Sequence, residues 1–377
     1  MTEELTRKKS VLVIHPILVP YRVDFFNVIS NVVDMDLVFE IKNSEVGYFD
    51  EVTLSANLTN KPIFLKKIRL PMGKYFPLGL TNLVKNKDIV ITTEFSLTTV
   101  YVVFFKKITG SKFKHVVWTD DNPELVKTDK LHRKLLRWLV SKFVSGWIFS
   151  SKETQLMYQI SFKNYASSFV SPIIHDDINY RDKLLKSNCH IPDLIDQYNL
   201  GGKRVFLCVA RLMEEKRIDL LLRAYQRVGF VLNDTALVIV GEGYKKDSLV
   251  QLASELGISQ SVKFVGFYEN VKLAAWYQLA SVFSLTSFYE AFGVVVNEAL
   301  LAGLPVVITA NVGARELIIE GKNGSVVDFG DEQVVADKLI YWMERSQKNI
   351  NEEIRSSLMP ITFLNANRGL KDFFETL

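Results

Sequence analysis

Short apolar runs of strand length alternate with amphipathic stretches of helix length along this chain, in two successive series. That alternation constrains the fold more than any other feature, because two parallel strands need a crossover of a dozen or more residues between them, usually a helix. In the first series, residues 11–15, 36–40, 89–92, 115–119 and 146–149 read as strands, with a helix over 129–145 before the last of them. In the second, strands are expected at 205–210, 236–240, 262–264, 282–285 and 305–309, and helices at 218–228, 245–256, 272–279, 292–302 and 314–319. The fold class is therefore α/β, with two Rossmann-like, doubly wound domains. Ligands in such sheets bind beyond the carboxyl ends of the strands, so two domains facing each other would hold a site in the cleft between them.

The chain has 377 residues, long for one domain and natural for two. Ser171-Pro172, Ile191-Pro192 and Gly201-Gly202 are turn signals that separate the two series. Residues 1–178 are expected as the first domain, 179–202 as a linker, 203–355 as the second domain, and 356–377 as a helical tail packing back on the first. The helical segments of 352–377 should break at Pro360.

A hydrophobic fraction of 48% is enough to bury a core and excludes a disordered chain. Cys189 and Cys208 are too few for a disulfide framework or a structural zinc site, and Cys208 lies in an apolar run that reads as core. The polar start of the chain does not read as a secretory signal. The longest apolar stretch, 89–105, carries Glu94 with several Ser and Thr and is too short and polar for a membrane span. A cytoplasmic protein is expected. Its charge is uneven: residues 1–175 hold 24 Lys and Arg against 16 Asp and Glu, whereas the rest holds 22 against 26. A basic first half suits an anionic partner or is ordinary solvated Lys.

Three segments could carry chemistry. Glu290-Ala291-Phe292-Gly293 leads into a helix that holds Glu298 among apolar neighbours. A carboxylate in such surroundings needs a donor, which sugar hydroxyls, a core Arg or a backbone amide would supply. Arg211 and Lys216 follow a buried strand and flank a helix start, where two cations and free N–H groups suit a diphosphate or form a solvated basic cap. Gly241-Glu242-Gly243 also follows a strand, and its glycines would let a ligand approach the backbone. The full Gly-x-Gly-x-x-Gly pattern is missing, which disfavours a nicotinamide enzyme.

Together and in this order, these segments resemble the retaining glycosyltransferases of family 4, which have the GT-B fold. The resemblance is close over residues 205–328 and looser before Lys203. It is carried by Arg211 to Lys216, Gly241-Glu242-Gly243, Val265-Gly266-Phe267, and Glu290 to Glu298 with Ala302-Gly303-Leu304-Pro305-Val306-Val307 after it. The family implies transfer of a sugar from a nucleotide sugar, a UDP- or GDP-sugar, to a glycan or lipid-linked acceptor, with retained anomeric configuration. By that match the second domain binds the nucleotide sugar and the first the acceptor. Arg211 and Lys216 would hold the donor diphosphate, Glu298 the ribose hydroxyls, and Glu290 with the backbone of Ala291, Phe292 and Gly293 the donor sugar. Gly241 and Gly243 would also line the donor site, and Gly266 and Phe267 would lie near the nucleobase. Glu290, Lys216 and Arg211 are the catalytic candidates. Cations fixed in the protein would stabilise the departing diphosphate, so no metal or other cofactor is expected. Asp120-Asp121 are adjacent and do not form the spaced Asp-x-Asp of metal-dependent transferases.

The first half departs from better-known members: His15-Pro16-Ile17-Leu18-Val19-Pro20-Tyr21-Arg22 stands where many carry a Gly-Gly loop. Pro-Tyr-Arg here resembles a subset that builds bacterial surface polysaccharides. Tyr21 and Arg22 would then sit on the acceptor side, Arg22 facing an anionic acceptor, or simply form a surface loop. His15 is a site residue or a strand-end cap. Asp120 or Asp121 could accept the acceptor hydroxyl proton. The basic amphipathic stretch 130–143 could rest on the anionic inner face of a membrane, or its Leu131, Leu135, Trp138 and Leu139 pack on the sheet. A sugar-nucleotide epimerase of the same architecture is a second enzyme reading. A non-catalytic nucleotide-sugar or nucleic-acid binding protein is a third. No nucleic-acid partner is expected, because the sequence shows no nucleic-acid motif.

Overall fold

The computed structural model describes residues 7–46, 49–69, 75–128, 130–163, 165–346 and 354–377. The chain divides into two compact units, one holding the residues up to Ile173 together with Leu364–Leu377, the other Ile174–Phe363. The first unit is built on a seven-stranded sheet. Its order from edge to edge is Ile63–Phe64, Asp34–Ile41, Ser10–Ile17, Ile89–Thr93, Lys114–Thr119, Gly146–Phe149, Ser167–Val170. The second unit has a six-stranded sheet in the order Val262–Gly266, Thr235–Val240, Arg204–Val209, Val282–Leu285, Val306–Thr309, Gly324–Val327. Every neighbouring pair in both sheets is parallel. In each unit the first strand lies inside the sheet and the chain winds outward on both sides of it, the doubly wound arrangement expected from the alternation.

The sheet interiors explain the apolar runs. All six residues of Thr235–Val240 are buried, as a parallel strand covered on both faces requires. The helix Ile218–Val228 buries Ile218, Leu221, Leu222, Tyr225 and Val228 against that sheet at helical spacing. Cys208 is a core residue. The apolar stretch 89–105 resolves into the buried strand Ile89–Thr93 and the first part of the helix Leu97–Thr109. Among the described residues, no helix is long and apolar enough to cross a membrane.

Several expectations need correction. Residues 179–202 are not a linker. Most of them form the helices Asp177–Ser187 and Ile191–Tyr198, which belong to the second unit. Their turn signals are used locally: Asp176 caps the first helix through Ile178 and Asn179, and Pro192 sits in the first turn of the second. Among the described residues the tail is not helical before Pro360; its helices are Phe363–Ala366 and Leu370–Thr376. The last of these lays Leu370, Phe373 and Phe374 into the core of the first unit, with Phe373 stacked 5.9 Å from Phe169. The edge strand Ser167–Val170 escaped notice because only Phe169 of it is buried. The helix expected at 129–145 is Leu131–Ser141; Asp129 itself lies outside the described residues.

Candidate functional site

In the second unit, the loops that follow the central strands are laced together at their carboxyl ends. Leu212 N–H donates to the Glu242 carbonyl at 2.9 Å, Lys245 N–H to the Leu212 carbonyl at 3.0 Å, and Gly241 N–H to the Gly266 carbonyl at 2.8 Å. Gly241 has φ 142°, and a Cβ at Gly241 or Gly243 would run into the carbonyl oxygens of Ala210 or Leu212. These two glycines therefore admit the neighbouring Ala210–Leu212 backbone, rather than leaving the open approach that the sequence suggested. Gly266 also has a positive φ, 84°, and Phe267 beyond it is exposed.

The same lacing fixes two of the catalytic candidates. Lys216 ends the short turn Glu214–Lys216 and is buried, and its Nζ forms an ion pair with Glu290 Oε2. Phe288 N–H donates to the Glu215 carbonyl at 2.8 Å, and Thr286 Oγ1 donates to the Arg217 carbonyl at 2.9 Å, so the 286–290 loop is held against this turn. From the other side, Gly313 N–H reaches the Glu290 carbonyl at 3.1 Å and Ala314 N–H the Phe292 carbonyl at 2.6 Å. A Cβ at Gly313 would meet the Ala291 carbonyl. Gly293, at φ 93°, then opens the helix Val294–Leu301, so Ala291, Phe292 and Gly293 precede the helix rather than begin it. Arg211 is exposed and makes no ion pair among the described residues. The arrangement gathers one buried cation, one exposed cation and a carboxylate at the carboxyl ends of parallel strands, chemistry that suits an anionic ligand.

Glu298 is buried on that helix with both oxygens engaged. Tyr277 Oη donates to Oε2 at 2.8 Å, and His175 Nε2 lies 3.3 Å from Oε1. Burial pushes its carboxyl up, but the His175 contact, the charge of Lys183 and the Tyr277 hydrogen bond outweigh it, and the net shift is downward. His175 is held in place in turn: its backbone N–H donates to Asn297 Oδ1 at 2.9 Å, and its ring stacks on Tyr180. Neither His175 nor Tyr277 was legible as a partner, since the fold brings them from distant segments.

In the first unit, the acceptor-side candidates meet at the carboxyl ends of Ser10–Ile17, Ile89–Thr93 and Lys114–Thr119. Arg22 does not face outward. It is 1% exposed, ion-paired with Asp120 and stacked 4.3 Å over the Trp118 ring. Tyr21 beside it is half-buried. His15 is buried against Phe26, Phe39 and Trp118, and burial, reinforced by Arg22, holds it down to about 4, so it is neutral at physiological pH. The adjacent aspartates differ sharply. Asp121 is buried in a bidentate pair with Arg137, Nε to Oδ2 at 3.1 Å and Nη2 to Oδ1 at 2.9 Å, and also accepts from Tyr158. Asp120 keeps 29% of its side chain exposed. Of the pair, only Asp120 can reach a hydroxyl from solvent.

Sequence reasoning missed Glu94 as a member of this cluster; its one signal was a carboxylate at the end of an apolar strand. Its backbone is left-handed, φ 56°, and Oε1 accepts the Asp120 N–H at 2.9 Å. Burial, with Asp121 and Asp120 nearby, pushes its carboxyl up to about 8. A raised carboxyl stabilises the fold fully below the unfolded value near 4.5 and loses that contribution as pH climbs through about 8. Glu94→Gln should therefore gain on the wild type between pH 5 and 8, by up to about 1.4 kcal/mol per pH unit. Urea unfolding at the two pH values measures it; a difference that stays constant would show Glu94 to be ionised throughout.

The helix Leu131–Ser141 also departs from expectation. Leu131, Leu135, Trp138 and Leu139 do not pack on the sheet; they are 82%, 59%, 46% and 46% exposed, and the buried side of the helix carries Arg137 and Val140 instead. Asp121 inside the unit draws Arg137 in and turns the apolar stripe outward.

Comparison with known proteins bears on both units. Residues 191–356, within the second unit, match the profile described as "Glycosyl transferases group 1". A GDP-mannose-dependent α-(1-6)-phosphatidylinositol monomannoside mannosyltransferase of Mycolicibacterium smegmatis is 35% identical over 147 residues, 37% of this chain and 38% of that protein. The lipopolysaccharide core biosynthesis glycosyltransferase LpsE of Rhizobium meliloti is 34% identical over 35% of this chain and 40% of its own. The match thus spans about two fifths of the length of these curated relatives. The structure of Anabaena Alr3699/HepE in complex with UDP and glucose superposes with a TM-score of 0.73 at 19% identity, over 98% of this chain and all of that one. WaaG, a glycosyltransferase involved in lipopolysaccharide biosynthesis, superposes with a TM-score of 0.61 at 16% identity, over 89% and 90% of the two chains. The fold is GT-B.

Proposed function

We propose, on the match of residues 191–356 to the profile described as "Glycosyl transferases group 1", that the protein is a retaining glycosyltransferase that moves a sugar from a UDP- or GDP-sugar to a glycan or lipid-linked acceptor in bacterial surface-polysaccharide synthesis. The observation that carries this reading is the buried Lys216–Glu290 pair at the carboxyl ends of the strands of the second unit, with Arg211 exposed on the same loop as Lys216. Cleavage of the sugar–phosphate bond leaves positive charge on the sugar and negative charge on the diphosphate. Lys216 and Arg211 stabilise the diphosphate where its charge develops, and Glu290 stabilises the sugar while orienting Lys216. Glu298 takes the ribose hydroxyls with the lone pairs that Tyr277 and His175 leave open, and Gly266 and Phe267 lie against the base. In the first unit, Tyr21 and Asp120 serve the acceptor, and Asp120 takes its proton. The protein works at the inner face of the membrane, supported by the outward apolar stripe of Leu131–Ser141.

With fixed cations at the diphosphate, no metal is required. UDP or GDP should raise the melting temperature in the presence of EDTA as much as in its absence, by an amount set by its concentration over its dissociation constant. Sugar transfer should also survive EDTA. Binding of neither nucleotide would sink the donor reading, and activity restored only by Mn²⁺ would sink the metal-free one.

A further inference from the structure

Residues 354–359 of the second unit form an extended segment beyond the helix Glu332–Arg345. Arg355 on this segment pairs with no carboxylate among the described residues, and burial lowers its guanidinium to about 10, so it stays charged at neutral pH. Its partners are backbone carbonyls. Nε donates to Ala302 at 3.1 Å, Nη1 to Ala280 at 2.6 Å, and Nη2 to Tyr277 at 2.7 Å and Gln278 at 2.9 Å. These carbonyls lie at the carboxyl ends of the helices Asn270–Leu279 and Val294–Leu301, where the helix dipole is negative and the last carbonyls lack intrahelical donors. One cation therefore ties two helix ends together. The backbone makes room for it: Gly303 has φ 74°, and a Cβ there would come within 2.6 Å of Arg355 Cβ and of the Ser356 carbonyl oxygen.

The two helices meet at Glu298. Tyr277, whose carbonyl Arg355 fixes, donates its Oη to Glu298 Oε2 at 2.8 Å. Ala302, held in the same way, donates its N–H to the Glu298 carbonyl at 3.0 Å. Leu358 N–H, further along the segment, closes on the Leu300 carbonyl at 2.8 Å. Next to it, Met359 Sδ accepts from Asn297 Nδ2 at 3.2 Å, and Asn297 Oδ1 holds the backbone N–H of His175, the residue that faces Oε1. The segment thus touches the supports of both Glu298 oxygens and the end of the helix that carries them. A carboxylate that must meet two hydroxyls needs its supporting groups locked in this way.

We propose that Arg355 is a positioning residue for the donor: resting on the ribose role given to Glu298 in the proposed function, it sets the carboxylate that reads the ribose hydroxyls without touching the nucleotide itself. Calorimetry on the full chain with UDP and GDP, each beside its 2′-deoxy form, tests this. The wild type should bind the ribonucleotide it prefers about tenfold more tightly than the deoxy form, the usual worth of a hydrogen bond to a charged group. Arg355→Ala should remove most of that ratio, weakening the ribonucleotide and leaving the deoxy form nearly unchanged. Leu339→Ala, which empties part of the fully buried core of the same unit, should lower the melting temperature and keep the ratio. Far-UV circular dichroism checks folding. If the alanine variant does not fold, Arg355→Lys, which keeps the charge but reaches fewer carbonyls, takes its place and should show a reduced ratio. A wild-type ratio in the variant that folds, or an equal loss in Leu339→Ala, overturns Arg355 as a positioning residue. A wild type that binds both forms equally removes the ribose role of Glu298 and this assignment with it, while leaving nucleotide binding intact; binding of neither form removes the donor reading itself.

Discussion

Lys216→Ala is expected to lower turnover by about two to three orders of magnitude, the usual consequence of removing one preorganised charge from a developing anion. The ammonium is buried and tied to Glu290, so it needs no reorganisation when the diphosphate departs. Nucleoside diphosphate affinity should fall as well, because the ground-state diphosphate already carries charge. Lys216→Arg keeps the cation and should recover part of the loss. Steady-state kinetics with the identified donor and calorimetry with the matching diphosphate separate the two effects. Wild-type turnover in the alanine variant would place the leaving group elsewhere and remove the basis of the proposed function.

The second large effect is on stability, and it follows from a corrected assignment. Asp121→Asn leaves the Arg137 guanidinium buried without its counter-ion and weakens the bond from Tyr158. Removing one partner of a buried pair costs about 3–5 kcal/mol. Urea unfolding followed through Trp118 and Trp147, both buried in the first unit, should show a clearly lower midpoint. Asp120→Asn removes the charge partner of Arg22, which is buried as deeply, and should lower the midpoint too, with the 29% exposure of the Asp120 side chain letting water offset part of the loss. Equal midpoints for wild type and Asp121→Asn would mean that Asp121 is not the anchor its geometry describes.

Adjacent aspartates with such different fates show where sequence reading stops. Asp120 and Asp121 look alike in the chain, and in the loop just past the strand Lys114–Thr119 one is buried and the other keeps part of its side chain in solvent. Only the fold supplies Arg137 from sixteen residues away and Tyr158 from beyond it. The same limit hid the partners of Glu298, one before the second sheet and one on a helix within it. The glycines of Gly241-Glu242-Gly243 were legible as a site of close approach, but what approaches is the neighbouring loop.

The periodicity of apolar residues determined the two parallel sheets, because burial on both faces demands continuous apolar strands and a covering helix between them. The order of Arg211, Lys216, Glu290 and Glu298 determined which strand ends hold the candidate site, since the first three lie in the loops that follow strands and Glu298 on the helix after the last loop. The tertiary structure alone decided which of these charges are free to meet a ligand. Pairing in the interior depends on segments far apart in sequence. The desolvation cost of an unpaired charge forces each buried one to find such a partner, and that cost also turned Arg137 inward and the apolar stripe of its helix out.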